Sequence, residues 1–108
     1  MSNSPSWLDQ QQQDYQRKSA AWQQAQAVEG YDPNRFRQDA YGSWIAWEDY
    51  GKRSTFGWQI DHELPKSIFP ALDSLLPNLR ALHWRNNIAK SDNIELTSLE
   101  KFFGGISS

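Results

Sequence analysis

The sequence predicts an α+β domain on three observations. A Gln- and Ala-rich N-terminal stretch carries apolar residues at helical spacing, and residues 56–90 read in the order strand, loop, strand, helix. A capped apolar stretch then ends at Gly104-Gly105. With 108 residues, six Trp, five Phe and four Tyr, the chain has the length for one modest core. Each aromatic buries a large area, so few are needed to fill it.

The elements follow in chain order. Ser4-Pro5 offers a helix start, a serine cap with proline at the first helical position. That helix is expected to run to about Val28 and close at Gly30. Leu8, Tyr15 and Trp22 recur every seven residues, with Ala25 one turn on, which makes a narrow apolar stripe. The plain reading packs the stripe on its own domain, and a protein partner docked through this helix is the sharper one. The run Gln10–Gln13 is short enough to be helix surface.

Tyr31-Asp32-Pro33-Asn34 is a turn cluster. Ala40–Trp47 reads as an extended or hairpin segment ended by Tyr50-Gly51. Phe56–Ile60 is a short strand whose end delivers Asp61-His62. Pro65 and Pro70 keep 64–77 irregular, with room for one helical turn around Ala71–Leu75. Leu79–Leu82 forms a second strand, and Trp84 to about Lys90 a helix broken by Ser91-Asp92-Asn93. Thr97 and Glu100 are spaced as a capping box ahead of Leu99, Phe102 and Phe103. Trp44, Trp47, Phe56, Trp58 and Trp84 are the expected core aromatics. The chain divides into an N-terminal helical extension, 1–30, and a domain over 31–108 whose central motif spans 56–93.

Composition narrows the function classes. The absence of Cys excludes a disulfide framework and a Cys-ligated zinc staple. No apolar run approaches the roughly 20 residues that cross a bilayer, and no signal peptide is legible, so a soluble cytoplasmic protein with no membrane role is the expectation. The formal net charge is −2, but it is unevenly spread. Residues 1–50 carry four Lys/Arg against seven Asp/Glu, whereas 51–93 carry six against four. Only the motif segment is basic, and phosphate affinity needs local positive charge, not a basic whole chain.

The chemistry-bearing residues lie in WQIDHELPKSIFPALDSLLPNLRALHWRNNIAKSDN. Phosphodiester hydrolysis requires an activated water, an electrophile on the phosphate and help for the leaving oxygen. His62, with an unperturbed pKa of about 6.5, suits the proton transfer at neutral pH. Asp61 and the Asn87 amide oxygen are hard donors suited to one Mg²⁺ or Mn²⁺ ion. Asn86 is the fallback if the helix register slips by one. Consecutive strand residues face opposite ways, so Asp61 and His62 need an irregular strand end to serve one site. Asn78 is placed to hold the imidazole by its side chain or backbone. Lys90 and Arg85, then Lys66 and Arg80, are the cations for phosphate or DNA contact. His83 is expected on the core side or behind the ligands, and Glu63 as an exposed strand-end acid or a third oxygen ligand.

Asp61-His62, Pro65, Asn78-Leu79, Asn87 and Lys90-Ser91-Asp92 together resemble the HNH endonucleases, the ββα-metal nucleases, in the variant whose last position is Asn. The resemblance covers about 51–93, extends more loosely over 31–50 and leaves out 1–28. It is to small stand-alone bacterial and phage HNH proteins, and the same spacing occurs in the HNH domain of CRISPR effector nucleases. It implies a ββα-metal motif, His62 as general base, Asp61 and Asn87 as metal ligands, and Asn78 as the orienting residue. It also implies one divalent ion and cleavage to a 5′-phosphate and a 3′-hydroxyl. The zinc-stapling cysteine pairs of many such domains are missing, with His83 and Asn86 where the second pair would start and end. The expected activity is Mg²⁺- or Mn²⁺-dependent cleavage of DNA with low sequence specificity, RNA being left open. The alternatives are a non-catalytic nucleic-acid-binding module of the same fold, or a toxin-type nuclease with an immunity partner.

Overall fold

The computed structural model describes residues 6–91 and 93–104. Among them the chain is mixed α+β, with three α-helices and two small antiparallel sheets. In chain order these are α1 (Ser6–Gln24), β1 (Phe36–Gln38), β2 (Trp44–Ala46), β3 (Trp58–His62), β4 (Leu79–His83), α2 (Trp84–Lys90) and α3 (Leu96–Phe103). β1 pairs with β2 and β3 with β4. The expected cap at Ser4-Pro5 lies outside the described residues, as do Asp92 of the predicted helix break and Gly105 of the predicted C-terminal stop.

The β3–β4 register decides what faces what. Trp58 lies opposite His83, Ile60 opposite Ala81, Asp61 opposite Arg80 and His62 opposite Leu79. Facing partners share one side of a ribbon, and successive residues alternate sides. One side carries Trp58, Leu79 and Ala81, which bury against Ala21 and Trp22 of α1, Ala25 just after it and Ile45 of β2, with Ile60 and Trp47 packed on the edge. The other side carries Gln59 and Asp61, which hydrogen bond to Asn87 and Lys90 of α2. α1 is therefore one wall of the core shared with β3 and β4.

Aromatics dominate that core. The Trp22 ring meets Trp47 edge-on at 5.6 Å and Trp58 at 5.3 Å, and the Trp58 indole donates to the Ala46 carbonyl. The apolar stripe of α1 is buried only at its C-terminal end: Trp22 is 2% exposed but Tyr15 is 64% exposed. The helix also stops at Gln24, short of Val28, because Gln26 leaves it to bridge Gln38 of β1 with two backbone hydrogen bonds. Trp44 and Phe56 are not core residues; with Tyr31 and Phe36 they line a shallow apolar hollow. Trp84 is half-buried, its indole held by the Ser54 carbonyl.

Two further expectations change. β1 carried no strand pattern in the sequence, and it exists by pairing with β2. The capping box does not form: α3 begins at Leu96 with Glu95 at its cap, no side-chain cap bond is made, and Thr97 lies inside the helix. The Glu95 carboxylate is occupied instead by Arg80 and Tyr41. α2 has the predicted bounds, and the His83 side chain caps it by accepting from the Arg85 amide. Gly57, just before β3, cannot carry a side chain, since a Cβ there would stand 1.8 Å from the Lys52 carbonyl oxygen.

Candidate functional site

The end of β3, the start of the following loop and the C-terminal half of α2 enclose an open cleft of about 640 Å³. Asp61, His62, Lys66, Asp73, Asn87 and Lys90 all line it. These residues span thirty positions of sequence, and the strand–strand–helix order brings them to one place.

Asp61 is the electrostatic centre. Its side chain is 7% exposed and its Oδ2 accepts from Arg80 Nε at 3.0 Å. Lys90 Nζ approaches Oδ1 at 3.3 Å and Oδ2 at 3.2 Å, and also donates to the His62 carbonyl at 2.9 Å. Arg80 continues the chain to Glu95 at 2.6 Å, and Glu95 accepts from the Tyr41 hydroxyl. Burial works against the Arg80 charge, but Glu95 and Asp61 outweigh it and hold the guanidinium above its ordinary value. Burial likewise opposes ionisation of Glu95, and the Tyr41 hydroxyl and Arg80 prevail, leaving its carboxyl below the usual range. For Tyr41, burial and then the Glu95 carboxylate push the phenol up. Two acids and two cations thus balance.

Asp61 and His62 reach one cleft without an irregular strand end. The ladder continues in register through both, with Asp61 on the α2 side and His62 on the α1 side. They converge because the edge of β3 away from β4 carries no ladder beyond the Tyr50 bridge at Trp58, among the described residues. Side chains from both faces of an uncovered edge open onto the same solvent.

The imidazole partner differs from expectation. Asn78 is fully buried, but its side chain accepts from the Leu64 amide and donates to the Leu64 and Leu72 carbonyls. Its own carbonyl accepts from the Glu63 amide. Asn78 therefore fastens both ends of the 63–77 loop and makes no bond to the ring. The loop brings Asp73 to the site, its Oδ1 3.0 Å from His62 Nε2. The contact does not count as a hydrogen bond, and among the described residues Nε2 is buried without a hydrogen-bond partner. Sequence reasoning passed over Asp73, whose one signal is that no other acid occurs in 64–77.

The remaining candidates separate clearly. Asn86 donates to Asp39 and to Ser43, which ties α2 to the β1–β2 hairpin, and it does not line the cleft. Asn87 uses its Nδ2 on Gln59, and among the described residues its side-chain carbonyl oxygen makes no hydrogen bond. Arg80 and Lys90 are buried against Asp61, so they are not solvent-facing phosphate contacts; Lys90 still lines the cleft. Arg85 is exposed over the Trp84 ring and outside the cleft, whereas Lys66 is exposed at its lip. His83 is buried, its Nδ1 accepting from Arg85 and its Nε2 therefore donating to the Thr55 carbonyl. Glu63 is not an exposed acid: it is 8% exposed and paired with Lys101 of α3.

For a hard divalent ion the donor set is short. Among the described residues no group of three His, Cys, Asp or Glu is placed to hold a metal. Asp61, Asn87 and Asp73 nevertheless put two carboxylates and one free carbonyl oxygen on the cleft. Mg²⁺ commonly takes one or two carboxylates and completes its shell with water and substrate phosphate. The oxygen chemistry fits such an ion, provided that Lys90 yields its hold on Asp61. Comparison with family models, with curated proteins and with solved structures returns no match to this chain.

Proposed function

We propose that the chain is a divalent-metal-dependent endonuclease of the HNH, ββα-metal type, hydrolysing phosphodiester bonds in DNA. The observation that carries the reading is the meeting of Asp61, His62 and Asn87 on one open cleft with Lys66 and Lys90. An acid, an imidazole and a free carboxamide oxygen on an edge strand and the helix after it form the set that this chemistry uses.

Asp61 and Asn87, with Asp73 beside them, would hold the ion. A bound Mg²⁺ or Mn²⁺ polarises the phosphoryl oxygen and offsets charge on the leaving oxygen. The chain's own groups do the rest. His62 takes a proton from the attacking water, and the Asp73 carboxylate faces its ring at 3.0 Å. Lys66 at the open lip meets the phosphate. Asn78 keeps the 63–77 loop, and with it Asp73, in place. The product pair is a 5′-phosphate and a 3′-hydroxyl.

Supercoiled plasmid incubated with Mn²⁺ or Mg²⁺ should be nicked or linearised, and His62→Ala should abolish this while keeping the melting temperature. Intact plasmid, with no metal binding by calorimetry, sinks the reading. The double pairing of Asp61 favours a second one, a metal-free nucleic-acid-binding module. DNA binding that needs no metal and survives Asp61→Ala, without cleavage, selects it.

A further inference from the structure

His62 belongs to two clefts. On the α1 side of β3 a second cleft of about 500 Å³ is lined by Tyr15, Arg17, Lys18 and Tyr50, and it shares Ile60 and His62 with the first. The two are therefore continuous around the uncovered edge of β3. Arg17 and Lys18 are half-buried, and among the described residues neither enters an ion pair. Lys18 Nζ stands 3.9 Å from the Trp47 ring centroid and 5.0 Å from that of Tyr50, so it is held at the cleft by aromatic faces. Burial pulls its ammonium below the ordinary value, as expected of a cation short of an anion. The one acid of this cleft, Asp14, is already hydrogen bonded by Gln10. Tyr15, beside these two cations, is 64% exposed.

We propose that this second cleft binds an unpaired polynucleotide strand leading into the hydrolytic cleft, with Arg17 and Lys18 on its phosphates and Tyr15 stacked on a base. Cations outside any ion pair beside an exposed aromatic ring are the elements of sequence-tolerant single-strand binding. Stacking on a tyrosine needs a base face that duplex pairing keeps covered, which selects single-stranded DNA, or a frayed or gapped duplex, over an intact one. Continuity at His62 sets the direction, since a strand on α1 passes the imidazole. The inference rests on the nuclease reading for the cut but not for the binding.

The test is fluorescence anisotropy of cleavage-dead His62→Ala protein with a labelled 20-nucleotide oligo(dT), and with a duplex of equal length, across a salt series. The single strand should bind more tightly than the duplex. Arg17→Gln should reduce the slope of log K against log salt by about 0.7, one phosphate contact on a single strand. Arg17→Lys should restore the slope, and Tyr15→Ala should weaken binding roughly tenfold. Arg35→Gln, which lines neither cleft, is the control, and matching melting temperatures exclude misfolding. Affinity and slope indifferent to both Arg17→Gln and Tyr15→Ala overturn the proposal, as does preference for the duplex. Wild-type protein that binds through Arg17 but never cleaves removes the nuclease reading and leaves the groove. Cleavage with a KM indifferent to Arg17→Gln does the reverse.

Discussion

Lys90→Met tests whether the lysine at Asp61 holds the place of a metal ion. The Lys90 side chain is 3% exposed, and its ammonium contacts both Asp61 oxygens and the His62 carbonyl. Breaking a buried pair by removing one partner costs about 3–5 kcal/mol when the other charge is left bare. Asp61 is not left bare, since Arg80 stays at 3.0 Å. Met also keeps most of the buried stem, so a loss of about 2–3 kcal/mol is expected. For a domain of this size that lowers the melting temperature by roughly 10–20 °C. Freed of its ammonium, Asp61 should bind Mn²⁺ more tightly, by about tenfold or more. An ion at 100 times its Kd returns about 2.7 kcal/mol, so saturating Mn²⁺ should recover most of the lost stability in the variant and less in the wild type. Thermal melts with and without Mn²⁺, and calorimetric titration of both proteins, read the two effects. A variant that melts like the wild type, or binds Mn²⁺ no better, refutes the reasoning.

Three further perturbations probe the surroundings. Asn78→Ala strands the Leu64 amide and two carbonyls in a buried site and should cost about 3 kcal/mol in urea unfolding; a loss below about 1 kcal/mol would show that the loop is held elsewhere. Asp73→Asn removes the charge facing His62 and should lower kcat about tenfold with KM little changed, whereas unaltered cleavage would leave Asp73 a bystander. The Glu95 carboxyl is depressed below its ordinary 4.5, so its ion pair with Arg80 stabilises the fold fully above about pH 4.5. That contribution is lost as pH falls through the depressed value. Glu95→Gln should therefore cost about 1 kcal/mol at neutral pH and melt with a shallower decline between about pH 5 and pH 3; parallel pH curves for the two proteins would contradict the assignment.

What the sequence disclosed follows physical scale. α2 and β4 were legible to within a residue because the apolar runs at Leu79–Leu82 and the helical stretch from Trp84 are set by local pattern and break at Ser91, whose φ is +50°. β1 was not legible, since Phe36-Arg37-Gln38 has no alternation and becomes a strand only through β2 and Gln26. The capping box at Thr97 had the right letters, yet the helix starts two residues earlier with Glu95 at its cap, the carboxylate paired with Arg80 fifteen positions away. Asp61, His62 and Asn87 meet on one cleft, as expected from the spacing of the motif. Asp73 was missed because a loop fastened by Asn78 sets its position, and no spacing rule covers such a loop. Register alone separated Asn87 from Asn86: one turns to Gln59 and the cleft, the other to Asp39 and Ser43.

The uncovered edge of β3 ties these features together. Had another strand paired along it past Trp58, Asp61 and His62 would serve opposite faces of a sheet and two separate sites. With the edge open, Asp61 stays in the charge-balanced set with Arg80, Glu95 and Lys90, while His62 projects toward α1. Acid and imidazole then need no distortion of the strand to share one cleft, and the imidazole gains a second neighbour in the cations of α1. A helix that contributes Trp22 to the core thus also places Lys18 one turn back on the rim, with Arg17 beside it. The same packing that stabilises the domain gives the cleft its second bank.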